Sequence, residues 1–111
     1  MEITEYVKDD IKIMSVSGKL NAASAEAFES KLLNNIANGE KKIILDFKKL
    51  DFISSRGIRI FYKAFEKMQG SDGKIVFAGI NQDIKKVFEL VELENDFPIF
   101  KDVDLAVQSA F

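Results

Sequence analysis

A chain of 111 residues with 47% hydrophobic and 31% charged residues has the composition of one folded globular domain, not of a disordered segment. Sixteen Lys+Arg against eighteen Asp+Glu leave a net charge of −2, which excludes a field able to hold a nucleic-acid backbone. The lack of Cys and His removes disulfides, cysteine nucleophiles, histidine bases and nearly every zinc site.

The glycines never fall into the dinucleotide or P-loop spacing, which leaves carboxylate chemistry or none; no cofactor or metal is expected, and the chain reads as a non-enzyme. No apolar run approaches the ~20 residues of a bilayer span, and no basic head precedes a hydrophobic segment at the amino terminus. A cytoplasmic protein without membrane insertion is expected. Residues 1–111 are expected to form a single domain, since no repeat, linker or low-complexity tract divides them.

In chain order, Ile3–Val7 and Ile11–Val16 flank the turn-forming Lys8, Asp9 and Asp10, which predicts an antiparallel hairpin. Ala25, Phe28, Leu32 and Ile36 then recur at helical spacing, and Gly39 suits the left-handed position just past that helix. Lys42–Phe47 reads as a central strand, apolar on both faces. Leu50–Ile53 leads into Ser54 and Ser55, after which Ile58, Phe61, Tyr62, Phe65 and Met68 mark the inner face of a second helix.

Lys74–Gly79 is another interior strand, and Asn81 is placed to cap a third helix whose buried face is Ile84, Val87, Phe88 and Val91. Pro98, the only proline, suits an edge strand at Phe97–Phe100, and a last helix runs from Val103 to Ala110. Strands that alternate with helices need crossovers and so lie parallel. The expected fold is α/β: a mixed four- to five-stranded sheet with an amino-terminal antiparallel hairpin and about four helices.

Ser54 or Ser55 is positioned to cap the second helix, where unpaired amides and the positive end of the helix dipole welcome an anion. Plain capping alone accounts for a serine pair there. Phosphorylation would add about −1.5 to −2 charges and three acceptor oxygens, which the helix terminus, Arg56 or Arg59 could hold. Such a modification would change the surface and leave the fold intact.

The segment Asp51-Phe52-Ile53-Ser54-Ser55-Arg56-Gly57-Ile58-Arg59, in this order of elements, resembles the sulfate-transporter and anti-sigma-factor antagonist (STAS) domain family, particularly its stand-alone bacterial antagonists. Ser17–Ala23, Ile44–Phe47, Lys74–Gly79, Val87–Leu90 and Phe97–Phe100 add to the likeness, which spans nearly the whole chain. The resemblance implies a STAS-like fold and a phosphoacceptor serine two positions before Gly57, which is Ser55, with Ser54 as the second choice.

It further implies a cycle. The unmodified domain binds an anti-sigma factor with serine kinase activity, phosphorylation releases it, and a serine phosphatase reverses the change, so transcription is regulated indirectly and ATP belongs to the partner. The partner-binding surface would comprise Asn21, Ser54, Ser55, Arg56, Gly57, Arg59 and Lys63. The chain departs from the family pattern at Ser54 and Asn21, where aspartate is common, and at Arg56, where a small residue is common. These departures make the local field more positive, and they motivate the alternative of a constitutive interaction or scaffold module of a transporter or sensory complex that is not phosphorylated.

Other features have plainer readings. Phe61, Phe65 and Phe88 fall at core spacing. Lys41, Lys42, Lys48 and Lys49 bracket a strand and read as solvated edge protection before they read as an anion site. Glu92, Glu94, Asp96, Asp102 and Asp104 show no opposed acid and base arrangement and read as surface.

Overall fold

Strands β1 (Glu2–Lys8) and β2 (Ile11–Leu20) form the expected hairpin in the structure, a computed structural model that describes residues 1–111. Asp9 and Asp10 take φ of 52° and 68°, the two left-handed residues that a two-residue turn needs to match the twist of its strands. Helix α1 (Ala25–Ala37) follows, and Gly39 at φ 93° turns the chain back toward β3 (Lys42–Asp46). Next come β4 (Leu50–Ile53), α2 (Ser55–Gln69), β5 (Lys74–Ala78), α3 (Gln82–Leu90), a short 3₁₀ turn at Leu93–Asn95, β6 (Ile99–Phe100) and α4 (Val103–Ser109).

The sheet runs β1-β2-β3-β5-β6, antiparallel only between β1 and β2. It has six strands where four or five were expected. The unexpected one is β4, which pairs in parallel with the end of β2 across a register shift at Gly18/Lys19. Gly18, at φ 88°, permits that shift, and its amide donates to the Lys49 carbonyl at 3.0 Å. Only Leu50 and Ile53 of β4 are buried, so the strand lacks the two-residue alternation that reveals strands in sequence.

Elsewhere that alternation sorts side chains into two unequal cores. Met14, Val16, Ile43, Leu45, Ile75 and Phe77 face α1, α2 and α3, while Ile13, Ile44, Val76 and Ala78 face α4. At the centre of the larger core the Phe61 ring lies 4.8 Å from Phe77, 5.7 Å from Phe47 and 5.9 Å from Phe28. Edge-on and tilted pairs of this kind contribute about 0.5–1.5 kcal/mol each beyond their buried area. Phe61 and Phe88 are fully buried, and Phe65 packs partly buried against the same cluster.

Two helix faces are turned relative to expectation. The buried line of α2 is Gly57, Ile60, Phe61, Ala64 and Met68, with Ile58, Tyr62 and Phe65 on its flank. Gly57 and Ala64 are small, and Gly57 lets the first turn come close to the strand ends at Leu20 and Ile53, so the apolar pattern of larger residues points to the flank instead of the centre. On α3, Ile84 and Phe88 are buried, whereas Val91 lies past the helix end and is exposed.

Candidate functional site

Two parallel strands end side by side and hand over to two helices. Lys19 pairs with Phe52 and Leu20 with Ile53, and the Ser54 amide donates to the Leu20 carbonyl at 2.9 Å. Asn21 and Ser54 therefore leave the sheet together, and the loop before α1 lies beside the mouth of α2. Each strand places polar residues at its carboxyl end, where α/β folds collect their functional groups.

The Asn21 loop is closed on itself. Asn21 Oδ1 accepts from the amides of Ala23 and Ser24, each at 3.1 Å, while Ser24 Oγ donates to the Lys19 carbonyl at 2.7 Å. The Asn21 side chain is half-buried and shapes the loop. Ala22 and Ala23 form the exposed tip.

At α2 the two serines have separate duties. Ser54, extended at φ −95° and ψ 167°, is the cap: its Oγ accepts from the Gly57 amide at 3.3 Å. Ser55 is the first helical residue and is exposed, with its hydroxyl outside the capping bond. The amides of Ser55 and Arg56 have no acceptor inside the helix, as geometry dictates for a first turn. An anion on Ser55 Oγ would sit at the positive end of the dipole.

Gly57 lies beneath this surface. It is buried, and a Cβ on it would meet Leu20 Cγ at 3.0 Å and Ile53 Cγ1 at 3.1 Å. Its part is to let the first turn of α2 rest on the strand ends. Of the expected partner-binding set, Gly57 is thus the buried member, and its neighbours Ser55, Arg56 and Arg59 are exposed.

The charges around the serines are unequal in availability. Arg56 and Arg59 are exposed, join none of the ion pairs, and no acidic residue occupies the first turn of α2. Lys63, expected in the same role, is held by Glu29 of α1 at 2.7 Å. A further turn along, the Tyr62 hydroxyl donates to Asp96 at 2.7 Å. Burial, then the Asp96 hydrogen bond and the charges of Asp96 and Glu94, push the phenol up to about 12.

One exposed group escaped the sequence reading. Phe52 is 47% exposed on β4, immediately before the serines. An aromatic in a short apolar segment reads as core, and only the pairing of β4 with the end of β2 reveals that this one faces out.

Other polar concentrations differ in kind. A cleft of about 290 Å³ is lined by Glu2, Thr4, Ser15, Ser17 and Asp46 together with Lys48 and Lys49. Its carboxylates offset its lysines, and Asp46 already accepts from Ser15 Oγ at 2.8 Å and the Lys48 amide at 3.1 Å. Glu92, Glu94, Asp96, Asp102 and Asp104 are all exposed. No three His, Cys, Asp or Glu side chains are grouped to hold a metal ion. No helix is long and apolar enough to cross a membrane.

Fold and site define a mixed α/β module that presents a serine hydroxyl at the mouth of a helix, flanked by arginines and an aromatic. The chain belongs to the STAS domain family, whose model matches residues 2–106. It is 29% identical over 99 residues to BtrV of Bordetella bronchiseptica, named as an anti-sigma factor antagonist, a match covering 89% of this chain and 85% of BtrV. A Thermotoga maritima structure described as an anti-sigma factor antagonist superimposes with a TM-score of 0.90 at 20% identity, covering 96% of this chain and 92% of that one. The Bacillus cell fate determinant SpoIIAA in its phosphorylated form gives 0.76 at 18% identity, covering 99% and 100%.

Proposed function

We propose that this protein is an anti-sigma factor antagonist whose docking surface is the mouth of α2 and whose charge is switched at Ser55. Unmodified, it binds a cytoplasmic anti-sigma factor with serine kinase activity and so frees the sigma factor. Phosphorylation of Ser55 ends that binding, and a serine phosphatase restores it. Residues 1–111 act as one domain in this cycle, with the Asn21 loop, Ser54, Arg56, Arg59 and Lys63 around the acceptor.

The observation that carries the proposal is the division between the serines: Ser54 is committed to the cap, and Ser55 is exposed one residue further on. The name of BtrV and the phosphorylated form of SpoIIAA support it. In the transfer, Ser55 Oγ bonds to the γ-phosphorus of ATP held by the kinase, the bond to the β,γ-bridging oxygen breaks, ADP leaves, and the hydroxyl proton passes to a base of the kinase. The chain contributes the nucleophilic oxygen and no catalytic group.

The test is to incubate the purified protein with the anti-sigma factor kinases of its host and ATP, then map phosphate by mass spectrometry. Phosphate on Ser55, lost in Ser55→Ala and accompanied by dissociation of the complex, is expected. Phosphate undiminished in Ser55→Ala would remove Ser55 from the mechanism.

A further inference from the structure

The mouth of α2 differs from the rest of the surface in the kind of cation it carries: the chain's two arginines, Arg56 and Arg59, both stand there, exposed. Lys63 is met by Glu29 at 2.7 Å, Lys12 by Glu40 at 3.5 Å and Glu5 at 3.7 Å, and Lys8 by Asp104 at 3.3 Å. Arg56 and Arg59, like most of the lysines, join no ion pair, on a chain that carries more acids than bases. They are three residues apart, hence neighbours on the helix surface, and Arg59 is also one turn from Ser55.

Other contributions act in the same direction. The dipole of the 15-residue α2 places its positive end here, and no carboxylate in the first turn offsets it. Ser54 caps the helix with a neutral side chain, so no anionic cap stands at the mouth. Phe52, 47% exposed, adds an aromatic surface on the strand that feeds the helix. Arginine and aromatic side chains are the types that concentrate binding energy at protein interfaces.

On the reading that this mouth is the docking surface, we infer that the partner presents an acidic face to it: carboxylates that receive Arg56 and Arg59, beside an apolar recess for Phe52. A guanidinium fork matches a carboxylate in two-point contact, which a partner of this kind would use for register as well as attraction. Nucleic acid fits less well. Its affinity rests on many phosphate contacts, whereas here two arginines stand on a chain of net charge −2 with Asp51 exposed on the same strand.

This complementarity also explains why a single phosphate suffices as a switch. A phosphoserine brings about −1.5 to −2 charges, enough to cancel both arginines and turn the surface against a carboxylate-bearing partner. No rearrangement of α2 is required.

The experiment is an amide-resolved NMR titration of the unmodified protein with an octaglutamate peptide, an octalysine peptide and a single-stranded RNA octamer. It is repeated on the R56Q/R59Q variant, whose changes are at exposed positions. Octaglutamate is expected to shift the amides between Phe52 and Lys63, with binding about tenfold weaker in the variant and weakened by salt.

Absence of those shifts, or equal shifts in the variant, would overturn the inference. RNA shifting the same amides at lower concentration would overturn it in favour of nucleic acid, and shifts that follow the protein's own concentration would do so in favour of a second copy. No kinase enters the titration. A protein that binds octaglutamate at α2 but is never phosphorylated sinks the switch at Ser55 and leaves the acidic-partner inference standing; the opposite pair of results does the reverse.

Discussion

Gly57 lies so close to Leu20 that a Cβ added to it would stand 3.0 Å from Leu20 Cγ, with Ile53 Cγ1 at 3.1 Å on its other side. Two strand ends thereby set how near the first turn of α2 approaches the sheet. Gly57→Ala gains about 1 kcal/mol in helix propensity but overpacks this contact at a cost of about 1–3 kcal/mol. The expected net effect is a loss of about 1 kcal/mol, and Gly57→Val should lose more. Urea denaturation at constant m-value measures both, and a stabilised Gly57→Ala would show that Leu20 moves aside freely.

The serines should respond differently to the same substitution. Ser54→Ala removes the oxygen that accepts from the Gly57 amide and should cost about 1 kcal/mol of stability. Ser55→Ala touches an exposed hydroxyl outside the cap and should stay within about 0.5 kcal/mol. Chemical denaturation of both variants distinguishes them, and a larger loss for Ser55→Ala would reverse the assignment of roles.

Asn81 joins α3 to β4 with both ends of its amide. Its Oδ1 accepts from the Ile84 amide at 2.9 Å, and its Nδ2 donates to the Leu50 carbonyl at 2.9 Å. Asn81→Ala loses a cap and a bond between elements and should destabilise by about 2 kcal/mol. Asn81→Asp keeps the cap alone and should recover roughly half of that. Thermal unfolding of the two variants provides the comparison.

Tyr62 gives the fold a dependence on alkaline pH. Its phenol titrates at about 12 against 10.0 for the free side chain, because burial and then the Asp96 bond and the nearby carboxylates disfavour the phenolate. The raised value means that the unfolded chain loses the proton first. The contribution of this group is therefore complete below pH 10.0 and declines as pH rises toward about 12. Stability measured across that interval should fall more steeply for the wild type than for Tyr62→Phe. Equal slopes would mean that Tyr62 titrates alike in both states.

Much of this architecture is legible in the residue order, and what is not has identifiable causes. Ile43–Leu45 and Ile75–Phe77 announce strands buried on both faces, and Asn81 announces a cap, because each depends on its own neighbours in the chain. Strand β4 stays hidden because its pairing with β2 is short and broken by the shift at Gly18/Lys19, a long-range relationship without local signature. The α2 face is misread by one step because its innermost positions are the small Gly57 and Ala64, while hydrophobic spacing weighs the bulkier Ile58, Tyr62 and Phe65. The serine pair is legible in the residue order and the family resemblance puts Ser55 first, but its freedom from the cap and the outward turn of Phe52 come from three-dimensional placement.

The far side of the sheet has a different vulnerability. There α4, seven residues long, is the only helix over Ile13, Ile44 and Val76, and it covers them with Ala106, Val103 and Val107, joined by Ala110 just past its end. The Lys74 ammonium fastens its end by donating to the Ala110 carbonyl at 2.9 Å. Clipping the chain after Lys101 would lift this shingle and bare a greasy plank of branched aliphatics, leaving the serine terminus at the opposite side untouched. The shortened protein should clump before it loses its helices, so a proteolytic nick at that joint would silence the molecule through precipitation while the switch itself remained whole.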